Sequence, residues 1–268
     1  MRVIGCIAVN VFKESVRDKV LYNLVFFAVL LIAASYLLGQ LTAGQDVKII
    51  KDLGLAAMSI FGLFIAVFIG IGLVSKEVER RSIYSLLSKP IRRQEFIIGK
   101  FLGLVLTLLV NMIVMSLAYF AVLACMAWAA GGWFKPGWEA PAVDPELLKA
   151  ISMIFLQLVI VTALALLFST FSSPMLAAAL TFGLYVAGHF NEDLRHFETV
   201  VSSRPAALLA RTLYYVLPNL APLDVKTQVV HGLPVPAGYL LMNTAYALVY
   251  VTALLAGATL IFTRRDFK

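Results

Sequence analysis

Three histidines, His189, His196 and His231, are the side chains in this 268-residue chain best suited to acid–base work or metal ligation. Glu192 and Asp193 stand between the first two and would supply carboxylates. The spacing argues against both chemistries. His189 and His196 are seven residues apart, and no His-Glu-x-x-His frame fixes a ligand geometry, so no metal site is assigned. A Gly-x-Ser-x-Gly elbow is absent, and no catalytic residue is assigned. A phosphate loop is missing too: Gly99-Lys100 is followed by Phe101, and Gln94 stands five residues before Gly99. ATP hydrolysis is therefore not expected from this chain.

The segment with the densest chemistry is Ser75–Lys100, which holds seven Lys or Arg. Glu77 precedes Arg81 by four residues, a favourable helical ion pair. Ile83, Leu86 and Leu87 recur at helical spacing on the same charged stretch, and Pro90 disfavours helix at Lys89. A second amphipathic helix begins at about Arg92. A helix–break–helix of this kind either rests on lipid headgroups or shows its apolar side chains to a docked partner. Spacing alone leaves both open.

The elements that must carry this segment are membrane spans. Apolar residues make up 61% of the chain and charged residues only 14%, where a soluble domain would hold about a quarter charged. Uncharged runs longer than the ~18 residues that cross a bilayer recur along the chain. They predict an all-α polytopic protein with six spans, at about 21–40, 53–74, 101–128, 148–168, 174–190 and 238–263. The whole of 1–268 forms a single transmembrane domain. Ser169 to Pro174 closes a tight hairpin between the fourth and fifth spans, and residues 41–52 form a short polar loop.

Ahead of the first span, residues 1–19 form an amphipathic helix with Ile4, Ile7, Ala8, Val11 and Ser15 on one face and Asn10, Lys13 and Arg17 opposite. That pattern suits a helix lying in the membrane interface. In the outer segment 191–237, the stretch Pro205–Pro218 is mostly apolar but too short to span, so it is expected to lie at the outer interface or re-enter.

Orientation follows from basic residues. Segments 1–20, 75–100 and the tail hold 14 Lys or Arg in about 55 residues, against 8 in about 80 on the other side. Both termini are thus expected inside. Trp128, Trp133 and Trp138 cluster at one outer boundary, as an aromatic belt would. Cys6 and Cys125 fall on opposite sides and are not expected to pair. The net charge of +7 is dispersed between spans, which fits topology and anionic lipid and speaks against nucleic acid.

The spans hold no Asp, Glu, Lys or Arg near mid-bilayer, which disfavours an ion-coupled carrier. Their deep polar side chains are Asn111, Gln157 and Asn243, which either bond between helices or line a substrate path.

The run Glu77-x-Glu79-(x4)-Tyr84-x-Leu86-Leu87-Ser88-x-Pro90-Ile91-x-Arg93-x-x-Phe96-Ile97-x-Gly99-Lys100 resembles the signature of membrane subunits of type-2 ABC transporters. The six spans, the amphipathic start and the Arg264-Arg265-Asp266-Phe267 tail add to that resemblance, which covers nearly the whole chain. It implies that 75–100 is a cytoplasmic coupling segment docking on a separate ATPase subunit through Glu77, Glu79, Arg80, Ile83, Leu86 and Leu87. It implies also a second permease copy or homologue, ATP and Mg bound by the ATPase, export, and a bacterial cytoplasmic membrane. The alternative is a membrane scaffold or assembly factor whose inner loop tethers a cytoplasmic partner.

Overall fold

The computed structural model describes residues 2–41, 46–79, 92–133, 138, 140–190 and 217–264. Among them every regular element is a helix. These are α1 (Arg2–Val16), α2 (Lys19–Gln40), α3 (Asp46–Glu79), α4 (Arg93–Ala129), α5 (Glu146–Ser169), α6 (Pro174–His189), α7 (Lys226–Val230) and α8 (Ala237–Arg264), with a 3-10 turn at Ala221–Leu223. The long helices alternate in direction. One end of the bundle gathers α1, the start of α4 and the end of α8, and is called the basic end; the other is the loop end.

Among the described residues five helices, α2, α3, α4, α5 and α8, are long and apolar enough to cross a membrane. The fifth expected span is shorter: α6 has 16 residues, about 24 Å at 1.5 Å per residue, against a hydrocarbon core of about 30 Å. By the same measure α3 and α4, with 34 and 37 residues, run to about 50 and 55 Å and project beyond the bilayer. In α4 the expected second amphipathic helix and third span are one unbroken element. Its start is fixed by the Arg92 N–H, which donates to Glu95 Oε2 at 3.2 Å.

The core is built around α5, which is apolar on all sides and buried on nearly all of them, from Leu147 to Ser169. Helices α3, α4, α6 and α8 all pack on it. By contrast, α2 presents Tyr22, Phe26, Phe27, Leu30 and Leu37 outward and buries only Leu21, Ala28, Ile32, Ser35 and Gly39. That is the division expected of a peripheral helix with lipid on its free side.

Three expectations change. The apolar stripe of α1 packs on α4 rather than lying free for headgroups: Val11 and Ser15 are buried, and Ile4, Ile7 and Ala8 partly so. Gly99 and Gly103, one turn apart on α4, permit the approach; a Cβ there would come within 2.8 Å of Ile7 Cβ and 2.7 Å of the Ala8 carbonyl oxygen. Next, Lys48 and Lys51 lie in α3 rather than in a polar loop, and Lys51 is buried at 1% exposure. Helix α3 begins seven residues before the expected span because the loop-end connection covers its start. Trp138, expected in an aromatic belt, is the reason: it is buried, and its indole N–H donates to Asp46 Oδ1 at 3.1 Å. Trp128 and Trp133 stay exposed.

Candidate functional site

Of the proposed coupling residues, Glu77 and Glu79 form part of the last turn of α3, and their side chains lie outside the described residues. Arg80, Ile83, Leu86 and Leu87 also lie outside them. What the structure describes is the frame. Helix α3 leads into the segment and α4 leads out of it, both longer than the membrane requires.

At the exit stands a contact that the sequence reading missed. Arg93, in the first turn of α4, donates from Nη1 to the carbonyl oxygens of Phe262 (3.3 Å) and Thr263 (2.9 Å) at the end of α8. A cationic guanidinium donating to backbone carbonyl oxygens makes a charge-assisted hydrogen bond, the stronger kind. Phe96, one turn on, stacks on Phe262 with centroids 5.9 Å apart and rings inclined by 20°. Lys100, buried at 1% exposure, places Nζ 4.7 Å from the Phe96 ring centroid, a cation–π contact. The signal available in sequence was a pair of aromatics, Phe96 and Phe262, each beside a basic run at the same expected side of the membrane.

The three deep polar residues are placed on three different helices with three different partners. Asn111 does not bond between helices: Nδ2 donates to Thr107 O of its own helix at 2.6 Å. Gln157, fully buried halfway along α5, faces His189 at the end of α6, with Nε2 atoms 2.8 Å apart. His189 Nδ1 lies 2.9 Å from Tyr185 O. That carbonyl requires a donor, so the neutral ring carries its proton on Nδ1 and accepts from Gln157 through Nε2. Both ring nitrogens are thus engaged within the protein, and His189 ties α6 to α5. Tyr185 Oη lies 3.5 Å from Ser59 Oγ on α3. His231 is exposed, and His196 lies outside the described residues.

Asn243, on α8, leads to the other unforeseen feature. Its Nδ2 donates to Pro222 O at 3.4 Å, alongside the Tyr239 hydroxyl at 2.8 Å. Tyr246 Oη accepts the Asn219 N–H at 2.8 Å. The stretch 217–235 is therefore fastened to α8 through its backbone. It is also fastened to α6, where the Leu220 N–H donates to Gly188 O at 2.9 Å. At its far end both sides of the Val235 residue are held by α5: its N–H by Glu146 Oε2 (3.3 Å) and its carbonyl by Lys149 Nζ (3.0 Å). Glu146 and Lys149 bond each other as well. Since Gly188 neighbours the residue that meets the middle of α5 and Glu146 begins it, this stretch climbs half the length of α5. Leu220, Leu223, Val225, Val229 and Val230 are buried along the way. Irregular backbone at such depth is tolerable only where protein covers it. The expected helix at Pro205–Pro218 falls almost wholly outside the described residues.

The arrangement contains no reactive constellation among the described residues. It offers two projecting helices around a basic segment, and a covered, irregular stretch at the opposite end. No curated protein matches the chain. The family model described as "ABC-2 family transporter protein" matches residues 6–267, almost its full length. The chain accordingly belongs to the ABC-2 transporter family, as a multi-pass membrane permease that is not itself the ATPase.

Proposed function

We propose that this protein is the permease subunit of an ATP-driven exporter in a bacterial cytoplasmic membrane. Two permease chains, identical or homologous, enclose the route, and ATP with Mg is bound by separate ATPase subunits. The observation that carries this reading is the family match over 6–267, together with the length of α3 and α4, which flank the basic segment and exceed what a bilayer requires. On this reading the basic end faces the cytoplasm with both termini. Glu77, Glu79, Arg80, Ile83, Leu86 and Leu87 face the ATPase. Three apolar side chains on a charged stretch need a cover, and a docked protein supplies one worth about 1.5–3 kcal/mol per fully buried side chain. Gln157 and Asn243, which hold α6 and the 217–235 stretch, border the route that opens when those elements move.

The test is co-purification. Leu86→Asp combined with Leu87→Asp should abolish recovery of the partner ATPase subunit, and the stimulation of its turnover, while leaving membrane insertion intact. Equal recovery with the wild-type and double-variant permease would show that 83–87 merely rests on headgroups.

A further inference from the structure

We infer that α8 is the rod that carries movement of the coupling segment to the 217–235 stretch, with Arg93 as its lower joint. The inference rests on the coupling role proposed above for 75–100. Its evidence begins with continuity. Arg93 is in the first turn of the helix that follows the coupling segment, so displacement of that segment displaces its guanidinium. Nη1 is bonded to two successive carbonyls, Phe262 O and Thr263 O, and the Phe96–Phe262 stack braces the same joint from one turn further in. A planar fork of five N–H donors can hold two carbonyls in a set direction, which a lysine ammonium does less well.

The rod itself is rigid. Helix α8 runs 28 residues from Ala237 to Arg264, about 42 Å, without a proline. Its upper joint is the trio Tyr239, Asn243 and Tyr246, which grip Pro222 O and the Asn219 N–H. The same stretch is held on its other side by α5, through Glu146 and Lys149 on Val235, and by α6 through Gly188. Helix α5 is the buried axis of the bundle. Any shift of α8 along or around α5 therefore pulls the upper trio against the Val235 clamp. One set must yield, and the stretch moves. Arg93 is thus a positioning residue, since it touches no cargo.

The experiment uses the full permease bound to its partner ATPase, in nanodiscs, with Cys6 and Cys125 replaced by serine. Spin labels go on Leu148→Cys of α5 and His231→Cys beyond α7, both at exposed positions. In the wild-type background, trapping ATP should shift the distance between the labels. Arg93→Ala should leave the ATPase bound and turning over, yet abolish that shift. Arg93→Lys should restore part of it, which a purely structural defect would not show. Tyr239→Phe with Asn243→Leu, at the far joint, should reproduce the loss without touching the basic end. A shift of wild-type size in Arg93→Ala overturns the inference while leaving the coupling reading in place. Failure of the ATPase to bind the wild-type chain overturns the coupling reading, and this inference with it.

Discussion

Replacing Gly99 and Gly103 together by alanine drives two methyl groups into the contact between α1 and α4. At Gly99 the new Cβ meets Ile7 Cβ and Cγ2, both at 2.8 Å, with Ile4 O at 3.2 Å; at Gly103 it meets Ala8 O and Val11 Cβ, both at 2.7 Å. Ile7 Cβ, Val11 Cβ and the two carbonyl oxygens cannot rotate aside, so α1 must retreat as a body. Overpacking of this kind costs about 1–3 kcal/mol per site. Alanine's better helix propensity returns about 1 kcal/mol at each. With rigid obstructing atoms the balance falls in the upper range, a net loss of about 2–4 kcal/mol. The control is Gly183→Ala on α6, where no atom lies within 4 Å of the added methyl, and where propensity alone predicts a gain of up to about 1 kcal/mol. SDS-titration unfolding in mixed micelles compares the three proteins, and hydrogen exchange reports on the amides of α1. The double variant should lose stability and α1 protection together. If it matches the control in stability and its α1 amides exchange no faster, the glycine contact does not seat α1, and the reasoning fails.

Two further outcomes follow. In a background with Cys6→Ser and Cys125→Ser, His231→Cys should react with an impermeant maleimide in intact cells and Ser88→Cys should not; the opposite pattern would reverse the assigned orientation. At the α5–α6 contact, His189→Leu should destabilise more than Gln157→Leu in the same SDS titration. Losing the histidine leaves the fully buried Gln157 without a partner at either end, at about 1–3 kcal/mol, whereas losing the glutamine also removes an unpaired buried Oε1. Equal losses, or the reverse order, would mean that the 2.8 Å contact does not hold α6.

The bundle was readable because lipid punishes departures from a simple rule. Apolar runs of bilayer length announce α2, α5 and α8 directly, and Pro174 marks the start of α6 at helix position N1. The stripe on α1 was equally plain, but an amphipathic period does not say whether protein or headgroups will cover it. The two glycines on α4 that decide the matter straddle Lys100, at the boundary between the basic segment and the third apolar run, where neither has the look of a packing site. Lys51 misled for a related reason. A charge beside Gly44 and Asp46 has the look of a loop, and only the packing of Trp138 on Asp46 extends the helix past it. The 217–235 stretch was hidden most thoroughly, because its attachments are to backbone groups of Pro222, Asn219 and Val235, which carry no residue signature. Asn243 was visible as a deep polar residue, but its partner was not.

The fastening of 217–235 has a bearing on how the protein is made. Helices α5 and α6 leave the ribosome as a ready hairpin, and Gly188 offers one of the attachments at once. The remaining ones on α8 come from Tyr239, Asn243 and Tyr246, all synthesised after the stretch they hold. Until α8 is in place, the peptide groups around Asn219 and Pro222 have none of these partners, and exposing them to hydrocarbon costs several kcal/mol each. The stretch must therefore wait in water or at the interface while its last helix is inserted. Its entry beside α5 follows the insertion of α8, and a chain truncated before Ala237 would have its earlier spans inserted and this segment without its three α8 attachments.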